Sequence, residues 1–450
     1  SMNNAKLFFE AGSVKKELPE VLKEVQEYIS SKYSSLISDK ADEQKEQIRS
    51  YISKYLIDYG LGVDGYTFDE LVDRLYSEMA EFSFLTKYLF AKDVEEININ
   101  SWKDIKITYA NGDIIASDER FNSPGHAVDV IRRLLHKSGM ILDYSQPMVR
   151  GHLANNIRIT VFGYPVTDRD KGIAASIRIV NPQKLERADF IGNGTATAEM
   201  LDFLALILRY GVSVCVTGAT SSGKTTLMSW LLSTVPDEKR IFTIENGCRE
   251  FDLVKEDGNG NIVNNVIHTV TRYSDDEKQN IDQEKLLEYA LTSNPDIICV
   301  GEMKSAEAFA AQEAARTGHA VITTTHANSC EATYYRMVTL CKQKYDINDR
   351  TLYNLVTEAF PIVMFVKKLE DKTRKIMEIT ECEILPDGSR KIRTLFRFNV
   401  SGNQALGDGV RVIGEFEKVC DISENLQKRL LENGMPGKTL AQFITGGGSR

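Results

Sequence analysis

The spacing of apolar residues along the chain predicts helices first and strands later. Over residues 14–59, apolar positions recur at helical intervals in a charged background, which predicts an antiparallel pair of helices joined by a polar loop near 38–43. A further helix is predicted over 67–90, with Thr67 or Asp69 near its N-terminal cap. Together these segments predict a helical bundle over residues 1–90 whose role is packing.

From about residue 91 the pattern changes to alternating apolar and polar positions, which is typical of half-buried strands. Asn111-Gly112-Asp113 has the composition of a hairpin turn, and helical spacing predicts a helix over 125–137. Further strand-like runs cover the ranges 147–153, 157–162 and 174–180. A small α+β domain is therefore predicted over residues 91–185.

From Glu199 onward the pattern becomes helix, strand, glycine-rich loop and helix, followed by apolar strands separated by amphipathic stretches. This alternation predicts a mostly parallel sheet, covered by helices, that extends to about Glu383. Beyond residues 386–388 polar and apolar residues alternate again, and a closing helix is predicted near 426–431. The segment 186–450 is predicted to form an α/β domain with a C-terminal extension.

A length of 450 residues predicts two or three domains, and 42% hydrophobic with 26% charged residues describe a globular protein. The net charge of −9 opposes a general affinity for nucleic acid or anionic lipid, so no direct nucleic-acid partner is expected. The seven cysteines are scattered singly, which favours a reducing cytoplasm and disfavours a cysteine metal site. No apolar run is long enough to span a bilayer, so any membrane role is expected to act through a partner.

The clearest chemical signal is a glycine-rich loop between an apolar strand and a helix, with the pattern G-x-x-x-x-G-K-[ST]. The loop and the residue after it are Gly218, Ala219, Thr220, Ser221, Ser222, Gly223, Lys224, Thr225 and Thr226. Phosphate oxygens need a curved backbone with inward N–H groups, which the two glycines allow and the helix dipole reinforces. Lys224 is predicted to reach the β- and γ-phosphates, and the Thr225 hydroxyl to join a magnesium shell. A nucleoside triphosphate is the predicted ligand.

Acids and histidines end several apolar runs near this loop. Glu302 follows the run 295–301, and this strand is expected to lie beside the phosphate-loop strand, so that Glu302 can orient or activate water near the γ-phosphate. Glu245 ends another apolar strand. His319 and His326 stand at successive junctions, and His326 follows a threonine-rich strand end where an imidazole can contact a phosphate oxygen. These residues predict an active site around the loop.

Four segments, in this order, carry a family resemblance: GATSSGKT, TIENGCRE, NPDIICVGEMKSAEA and ARTGHAVITTTHANS. They resemble the Walker A, aspartate, Walker B and histidine boxes of the secretion-ATPase superfamily, which powers type II and type IV secretion and type IV pilus machines. The resemblance covers roughly residues 90–385. With its N-terminal helices and the run VEEININ, the chain is most similar to the CpaF-like branch of Tad/Flp pili. The conjugation-type ATPases of type IV secretion are the alternative branch.

The resemblance implies roles at the matching positions. Glu302 matches the catalytic glutamate, and Glu245 matches the acid that positions metal and water in the aspartate box. Thr225, Glu302 and Glu245 would therefore hold Mg²⁺. His319 and His326 fall on the two positions of the histidine box, where both would contact the nucleotide and His326 would sense the γ-phosphate.

Three arginines also match positions in the family. Arg158 and Arg178 lie in predicted strands, where spacing alone indicates solvent-facing positions. The resemblance implies instead that both close over the bound nucleotide from the α+β domain. Arg272 falls near a further arginine that follows the aspartate box, so it too is implied to contact nucleotide.

Three departures from the family pattern concern the same site. Asn246 stands where the second acid of the aspartate box is usual. Lys304 replaces the arginine after the Walker B glutamate, which keeps the charge but loses the bidentate fork of a guanidinium. Residues 292–294 replace a segment that carries an arginine. We therefore expect hydrolysis by the isolated protein to be slow or to depend on a partner.

The resemblance implies a cytoplasmic homohexamer with an N-terminal helical bundle, a PAS-like α+β domain and a RecA-like ATPase domain. ATP and Mg²⁺ would be its ligands, and polytopic inner-membrane platform proteins its partners at the cytoplasmic membrane. Hydrolysis would drive pilus assembly or retraction, or secretion. Two alternatives of another class are a nucleic-acid-translocating RecA-like motor, which the acidic composition disfavours, and a nucleotide-binding switch with little turnover.

Overall fold

The computed structural model describes residues 13–32, 41–80, 83–91, 93–154, 157–180, 185–247, 249–272 and 277–444. The chain divides into two compact units, Ser1–Asn181 and Pro182–Arg450. The finer division into three domains made from the sequence stays a prediction. Among the described residues, none of the helices combines the length and the apolar character needed to cross a membrane.

The first unit begins with packed helices. Its elements as far as residue 91 are β1 (Val14–Lys15), α1 (Leu18–Lys32), α2 (Ala41–Asp58), β2 (Leu61–Gly62), α3 (Phe68–Ala80), a 3-10 turn (Ser83–Leu85) and α4 (Thr86–Leu89). Four side chains that are fully buried in their common core are Val25, Ile52, Leu56 and Leu75. Helix α2 begins at Ala41, so the polar loop predicted at 38–43 is wrong in its second half, and residues 38–40 lie outside the described part of the chain.

Helix α3 starts as predicted and ends earlier than predicted. The Thr67 N–H donates to the Glu70 carboxylate at 2.9 Å and the Thr67 hydroxyl accepts from the Glu70 N–H at 3.4 Å, which is the pattern of a capping box. The single helix predicted over 67–90 is wrong, because α3 ends at Ala80. Ser83 then takes a φ of 51°, a left-handed conformation that a continuous right-handed helix cannot contain.

The rest of the first unit is an antiparallel sheet of six strands, in the order β5-β4-β3-β8-β7-β6, with one long helix. Its elements are β3 (Val94–Ser101), β4 (Asp104–Tyr109), β5 (Ile114–Ala116), α5 (Pro124–Lys137), β6 (Met148–Ala154), β7 (Ile157–Phe162) and β8 (Ala174–Ile179). The hairpin turn predicted at 111–113 joins β4 to β5, as the pairing of Lys106 with Ala116 shows. Ile157 and Ile159 are buried with Leu134 of α5, which leaves the alternate residues of β7 on the opposite face.

The second unit is built on a nine-stranded sheet. Its elements are α6 (Arg187–Gly192), α7 (Ala198–Arg209), β9 (Val214–Thr217), α8 (Lys224–Ser233), β10 (Ile241–Glu245), β11 (Val266–Val270), a 3-10 turn (Glu277–Gln279), α9 (Gln283–Leu291), β12 (Ile297–Val300), α10 (Glu307–Arg316), β13 (Ala320–Thr325), α11 (Cys330–Cys341), α12 (Asp349–Ala359), β14 (Ile362–Lys368), β15 (Arg374–Ile384), β16 (Arg390–Leu406), β17 (Gly409–Lys418), α13 (Glu424–Glu432) and α14 (Gly437–Ala441). The strand order is β11-β10-β12-β13-β9-β14-β15-β16-β17.

This sheet is parallel from β11 to β14 and antiparallel from β14 to β17. Successive residues of β9 belong to two different cores, since Val214 and Val216 pack with α7 and α8 while Cys215 packs with α9 to α12. Helices thus bury both faces of the parallel part of the sheet, which explains why β9, β10, β12 and β13 are buried along their whole length. The mixed α/β fold with a mostly parallel sheet is confirmed.

One neighbour relation differs from the prediction. Strand β12, which leads to Glu302, does not lie beside β9; β13 lies between them and pairs in parallel with both. Thr325, the last residue of β13, pairs with Thr217, the last residue of β9. Consequently His326 and Gly218, the first residue of the phosphate loop, both follow the C-terminal ends of adjacent strands, at the same edge of the sheet.

The antiparallel strands are tied together by side chains. In the turn between β14 and β15, the Asp371 carboxylate accepts hydrogen bonds from the Thr373 hydroxyl at 2.6 Å and from the Val412 N–H of β17 at 3.0 Å. The buried Glu381 carboxylate accepts hydrogen bonds from the N–H and hydroxyl of Ser423, the N-cap of α13. The hairpin of β14 and β15 is therefore linked to strand β17 and to the closing helix α13.

Candidate active site

The phosphate loop joins β9 to α8 through a backbone with three positive φ values: 151° at Gly218, 63° at Ser221 and 94° at Gly223. A Cβ on Gly218 would lie 2.1 Å from the Val366 carbonyl oxygen, so only glycine fits there. The Ser222 hydroxyl oxygen is buried and has no hydrogen-bond partner among the described residues. A buried polar atom of this kind, beside a helix N-terminus whose dipole attracts anions, fits a phosphate group.

Lys224, the first residue of α8, is buried, and its ammonium group is bonded to its own loop. Its Nζ donates to the carbonyl oxygens of Gly218 at 3.0 Å and Ala219 at 2.8 Å, and it lies 3.5 Å from Nδ1 of His326. A phosphate oxygen is a stronger partner for an ammonium than a neutral carbonyl is. The lysine is thus held where an entering phosphate can take over its hydrogen bonds.

Glu302 lies just beyond β12, between two basic side chains. Its Oε1 is 2.9 Å from Nε2 of His326, and its Oε2 is 3.1 Å from Nζ of Lys304. Nδ1 of His326 is 3.0 Å from the Gly218 carbonyl oxygen. Nδ1 also lies near the Lys224 ammonium, so this nitrogen faces one acceptor and one donor, whereas Nε2 faces the Glu302 carboxylate and donates to it. The structure therefore brings Glu302 and His326 together at the loop, and their chemical roles stay predictions.

Two further side chains, one outside the motifs and one at the end of the third motif, hold the segment that carries Glu302. Nε2 of the buried Gln283 donates to the Glu302 carbonyl oxygen at 3.0 Å. The buried Glu307 carboxylate accepts from the N–H groups of Lys304 at 2.6 Å and Ser305 at 3.0 Å. The sequence gives a weak signal for Glu307, an acid in the first turn of a helix, and none for Gln283.

Glu245 ends β10 in a buried position. Its Oε1 accepts hydrogen bonds from the N–H groups of Glu250 at 2.5 Å and Phe251 at 3.1 Å. Its Oε2 is buried and has no hydrogen-bond partner among the described residues. Burial raises the pKa of Glu245 to about 7, against the opposing effect of the two backbone hydrogen bonds. Only Oε2 is available for the predicted contact with a metal, since Oε1 shapes the loop after β10.

The structure does not bring His319 or Arg272 to the phosphate loop. His319 precedes β13 whereas His326 follows it, so His319 lies at the opposite edge of the sheet, where its Nδ1 is 3.0 Å from the Pro295 carbonyl oxygen. Arg272 follows β11, which is four strands from β9, or about 19 Å at the usual spacing of strands. The guanidinium of Arg272 is exposed and lies 3.4 Å from two oxygens of Gln279.

Arg158 and Arg178 are cross-strand neighbours on β7 and β8 of the first unit. His152 of β6 pairs with Arg158, and Glu96 of β3 pairs with Arg178, so the four residues form one row across the sheet. The row lies on the face opposite the buried isoleucines, with Arg178 exposed and Arg158 half-buried. The solvent-facing position indicated by the spacing is confirmed for Arg178, whereas Arg158 is half-buried, and the contact of both with nucleotide stays a prediction.

These residues lie in a segment that matches a known family. The model of the family described as type II/IV secretion system protein matches residues 150–417, which is more than half of the chain. The chain belongs to this family. The match includes the phosphate loop, the strand-end acids Glu245 and Glu302, and the histidines His319 and His326.

Curated relatives of this secretion-system chain come from bacteria and archaea. Type IV secretion system protein PtlH of Bordetella pertussis is 32% identical over 191 residues, 41% of this chain and 54% of that protein. An uncharacterised protein of Methanocaldococcus jannaschii is 28% identical over 239 residues, 52% of this chain and 41% of that protein. A putative conjugal transfer protein of Mycobacterium tuberculosis is 25% identical over 316 residues, 68% of this chain and 85% of that protein. The chain spans about half the length of the first two.

Solved structures of secretion and pilus ATPases are similar to this chain at low identity. The VirB11 ATPase of the Brucella suis type IV secretion system, in complex with sulphate, is 21% identical with a TM-score of 0.35, over 68% of this chain and 95% of that one. The Legionella pneumophila ATPase DotB is 18% identical with a TM-score of 0.44, over 77% and 82%. At these values the similarity does not inform the geometry of the site.

The exchange Lys304→Arg is expected to raise the rate of ATP hydrolysis by this secretion-system chain several-fold. Lys304 contacts Glu302 through one ammonium group at 3.1 Å, whereas a guanidinium can hold both carboxylate oxygens in one plane. Steady-state phosphate release at saturating MgATP measures the effect, and Lys304→Met serves as the variant without charge. Equal rates for the wild type and Lys304→Arg would contradict the idea that this lysine limits hydrolysis.

Acidification is expected to destabilise the second unit through His268. Its Nδ1 is 2.8 Å from the Thr243 hydroxyl and its Nε2 accepts the Leu253 N–H at 3.3 Å, while burial and the charge of Arg249 lower its pKa to about 4. Between pH 6.5 and 4 the unfolded chain therefore binds a proton at His268 that the folded chain does not bind. The free energy of unfolding consequently decreases as the pH is lowered through this range. Melting temperatures at pH 7.5 and 5 should differ more for the wild type than for His268→Gln. The same difference in both proteins would exclude this residue as the cause.

Proposed function

We propose that this secretion-system family member is an ATPase that couples ATP hydrolysis to the work of a secretion or pilus machine. The observation that carries the proposal is the contact of Glu302 with His326, 2.9 Å apart, at a phosphate loop whose Gly218 carbonyl is 3.0 Å from the same imidazole. A carboxylate and an imidazole beside a phosphate loop are the groups that water activation and γ-phosphate contact require.

The residues of the site divide the work. Lys224 exchanges its carbonyl partners for the β- and γ-phosphate oxygens, and the N-terminus of α8 faces the same anion. Glu302 holds the attacking water and accepts its proton. His326 donates its Nε2 hydrogen to Glu302 in the free protein and is released to the γ-phosphate when Glu302 turns to the water.

Magnesium fits this donor set, because it prefers oxygen ligands and keeps several water molecules. The Thr225 hydroxyl, the Glu302 carboxylate and Oε2 of Glu245 would hold it together with phosphate oxygens. When bound, Mg²⁺ neutralises charge on those oxygens. No group of three or more His, Cys, Asp or Glu side chains within the described ranges could hold a metal ion by itself, so the nucleotide has to supply ligands.

The finer assignment is a homohexamer at the cytoplasmic face of the membrane. In it a PAS-like domain over residues 91–185 presents Arg158 and Arg178 to the nucleotide on a RecA-like domain over residues 186–450. The partners are polytopic platform proteins of a Tad/Flp-type pilus. The alternative is a conjugation-type ATPase of type IV secretion, which the putative conjugal transfer protein of Mycobacterium tuberculosis supports, since the match covers 85% of that protein. Size measurement with an ATP analogue tests the ring; a strict monomer in every nucleotide state would count against it.

Phosphate release by the purified full chain with MgATP tests the proposed activity. We expect hydrolysis that requires Mg²⁺ and is unaffected by single-stranded DNA or RNA at moderate salt, because the chain has a net charge of −9. Strong stimulation by nucleic acid would favour the translocating motor instead. No binding of ATP or ADP by calorimetry would overturn the proposal.

A further inference from the structure

The hairpin formed by β14 and β15 lies against the phosphate loop at two places. The Val366 carbonyl of β14 abuts Gly218, as the 2.1 Å distance to a Cβ built on that glycine shows. Arg374, the first residue of β15, donates from Nε to the Ser221 carbonyl oxygen at 3.2 Å. Its Cδ lies 3.0 Å from a Cβ built on Gly223. The arginine therefore spans the crest of the loop, from Ser221 to Gly223.

We propose that Arg374 is a positioning residue that holds the phosphate loop in its ligand-binding curvature. The proposal rests on the proposed function, since it assumes that nucleotide binds at this loop. Arg374 lies outside all four motifs, and it acts on the loop backbone.

The contact acts where the loop backbone is least favourable. Ser221 has a φ of 63°, and a residue with a side chain rarely adopts this conformation without support. A hydrogen bond from a charged guanidinium to the Ser221 carbonyl stabilises that conformation more than a neutral donor would. The aliphatic stem of Arg374 covers Gly223, the second residue of the crest with a positive φ.

Arg374 is anchored to the sheet. Strand β14 pairs in parallel with β9, which carries the loop, and Arg374 pairs with Lys368 across the hairpin. Asp371 closes the turn between them by accepting hydrogen bonds from the hydroxyl and N–H of Thr373. The loop follows β9 and Arg374 begins β15, and both strands pair with β14. Because one strand fixes both, their contact is maintained before any ligand arrives, and binding requires less ordering of the loop.

The experiment compares Arg374→Met, which keeps a stem without donors, with Lys368→Met, which removes the same charge from an exposed neighbour on the same hairpin. Calorimetry measures the affinities of the full chain for ADP and for a non-hydrolysable ATP analogue. We expect Arg374→Met to weaken both by about tenfold, because both are held by the same loop amides, and to leave kcat within about twofold. Lys368→Met should bind like the wild type, and Arg374→Lys should recover part of the loss.

Three outcomes would overturn the proposal. The first is an unchanged affinity of Arg374→Met for both nucleotides. The second is a loss of affinity confined to the triphosphate analogue, which would mean that Arg374 contacts the γ-phosphate directly. The third is an equal loss of affinity in Lys368→Met, which would mean a general effect of charge. Melting temperatures without nucleotide, together with Arg374→Lys, separate a folding defect from a binding defect. Binding by the wild-type chain tests the proposed function on its own, so the two failures are distinguishable.

Discussion

Glu302→Gln is expected to abolish ATP hydrolysis while leaving ATP bound. The carboxylate of Glu302 lies between Nε2 of His326 and Nζ of Lys304, and an amide of the same size can neither accept a proton from water nor pair with these groups as an anion. Removal of a general base typically lowers turnover by about 10² to 10⁴-fold. Phosphate release should therefore fall by at least about 100-fold while the affinity for ATP, measured by calorimetry, is kept.

The matched control is Glu313→Gln, because Glu313 is an exposed glutamate on α10. This variant should hydrolyse ATP at the wild-type rate. The comparison also separates a motor from a nucleotide-binding switch. A motor loses its turnover and traps ATP in Glu302→Gln. A slow wild-type rate that Glu302→Gln leaves unchanged would instead support the switch and exclude Glu302 as a catalytic residue.

Lys224→Met is expected to weaken nucleotide binding. In the free protein the buried ammonium is bonded to the carbonyls of Gly218 and Ala219. In the proposed function the nucleotide would replace these carbonyls by phosphate oxygens. A hydrogen bond from an ammonium to a phosphate contributes about 1.5–3 kcal/mol, and MgADP offers the β-phosphate that Lys224 is predicted to reach, so binding should be about 10- to 150-fold weaker. The exposed Lys391 of β16 provides the control, because Lys391→Met removes the same charge far along the chain.

Calorimetry with MgADP decides the outcome, and melting temperatures show whether the variant is folded. A folded Lys224→Met that binds MgADP like the wild type would falsify the assignment of the loop as a nucleotide site. Weak binding combined with normal binding in Lys391→Met would support it. The same variant should also release phosphate more slowly, since less substrate is bound.

The parts of the site that depend on local pattern could be predicted from the sequence. The glycine spacing of the phosphate loop and the acids at the ends of apolar strands are visible because each follows from a short run of residues. Strand order is different, because it is set by pairing between distant segments. The prediction that β12 lies beside β9 was therefore wrong, although the motif residues on these strands were identified.

Supporting contacts show the same limit. Arg374 meets Ser221 across 153 positions, and Gln283 meets Glu302 across 19, separations at which no periodicity or motif carries information. The short helix α4 was also beyond prediction, because the apolar spacing continues past Ala80 while the backbone turns at a left-handed residue. Patterns of apolar residues report burial more faithfully than they report where a helix stops.

The hydrogen bond from the Val412 N–H to Asp371 has a consequence for solubility. Strand β17 is the last of its sheet, and such a strand offers unpaired N–H and C=O groups along its outer side to any other extended chain. The Asp371 carboxylate occupies one of these donors, and the strand itself carries Arg411, Glu415 and Glu417. A bound carboxylate and closely spaced charges disfavour edge-to-edge aggregation, so the long hairpin can be exposed without recruiting further strands.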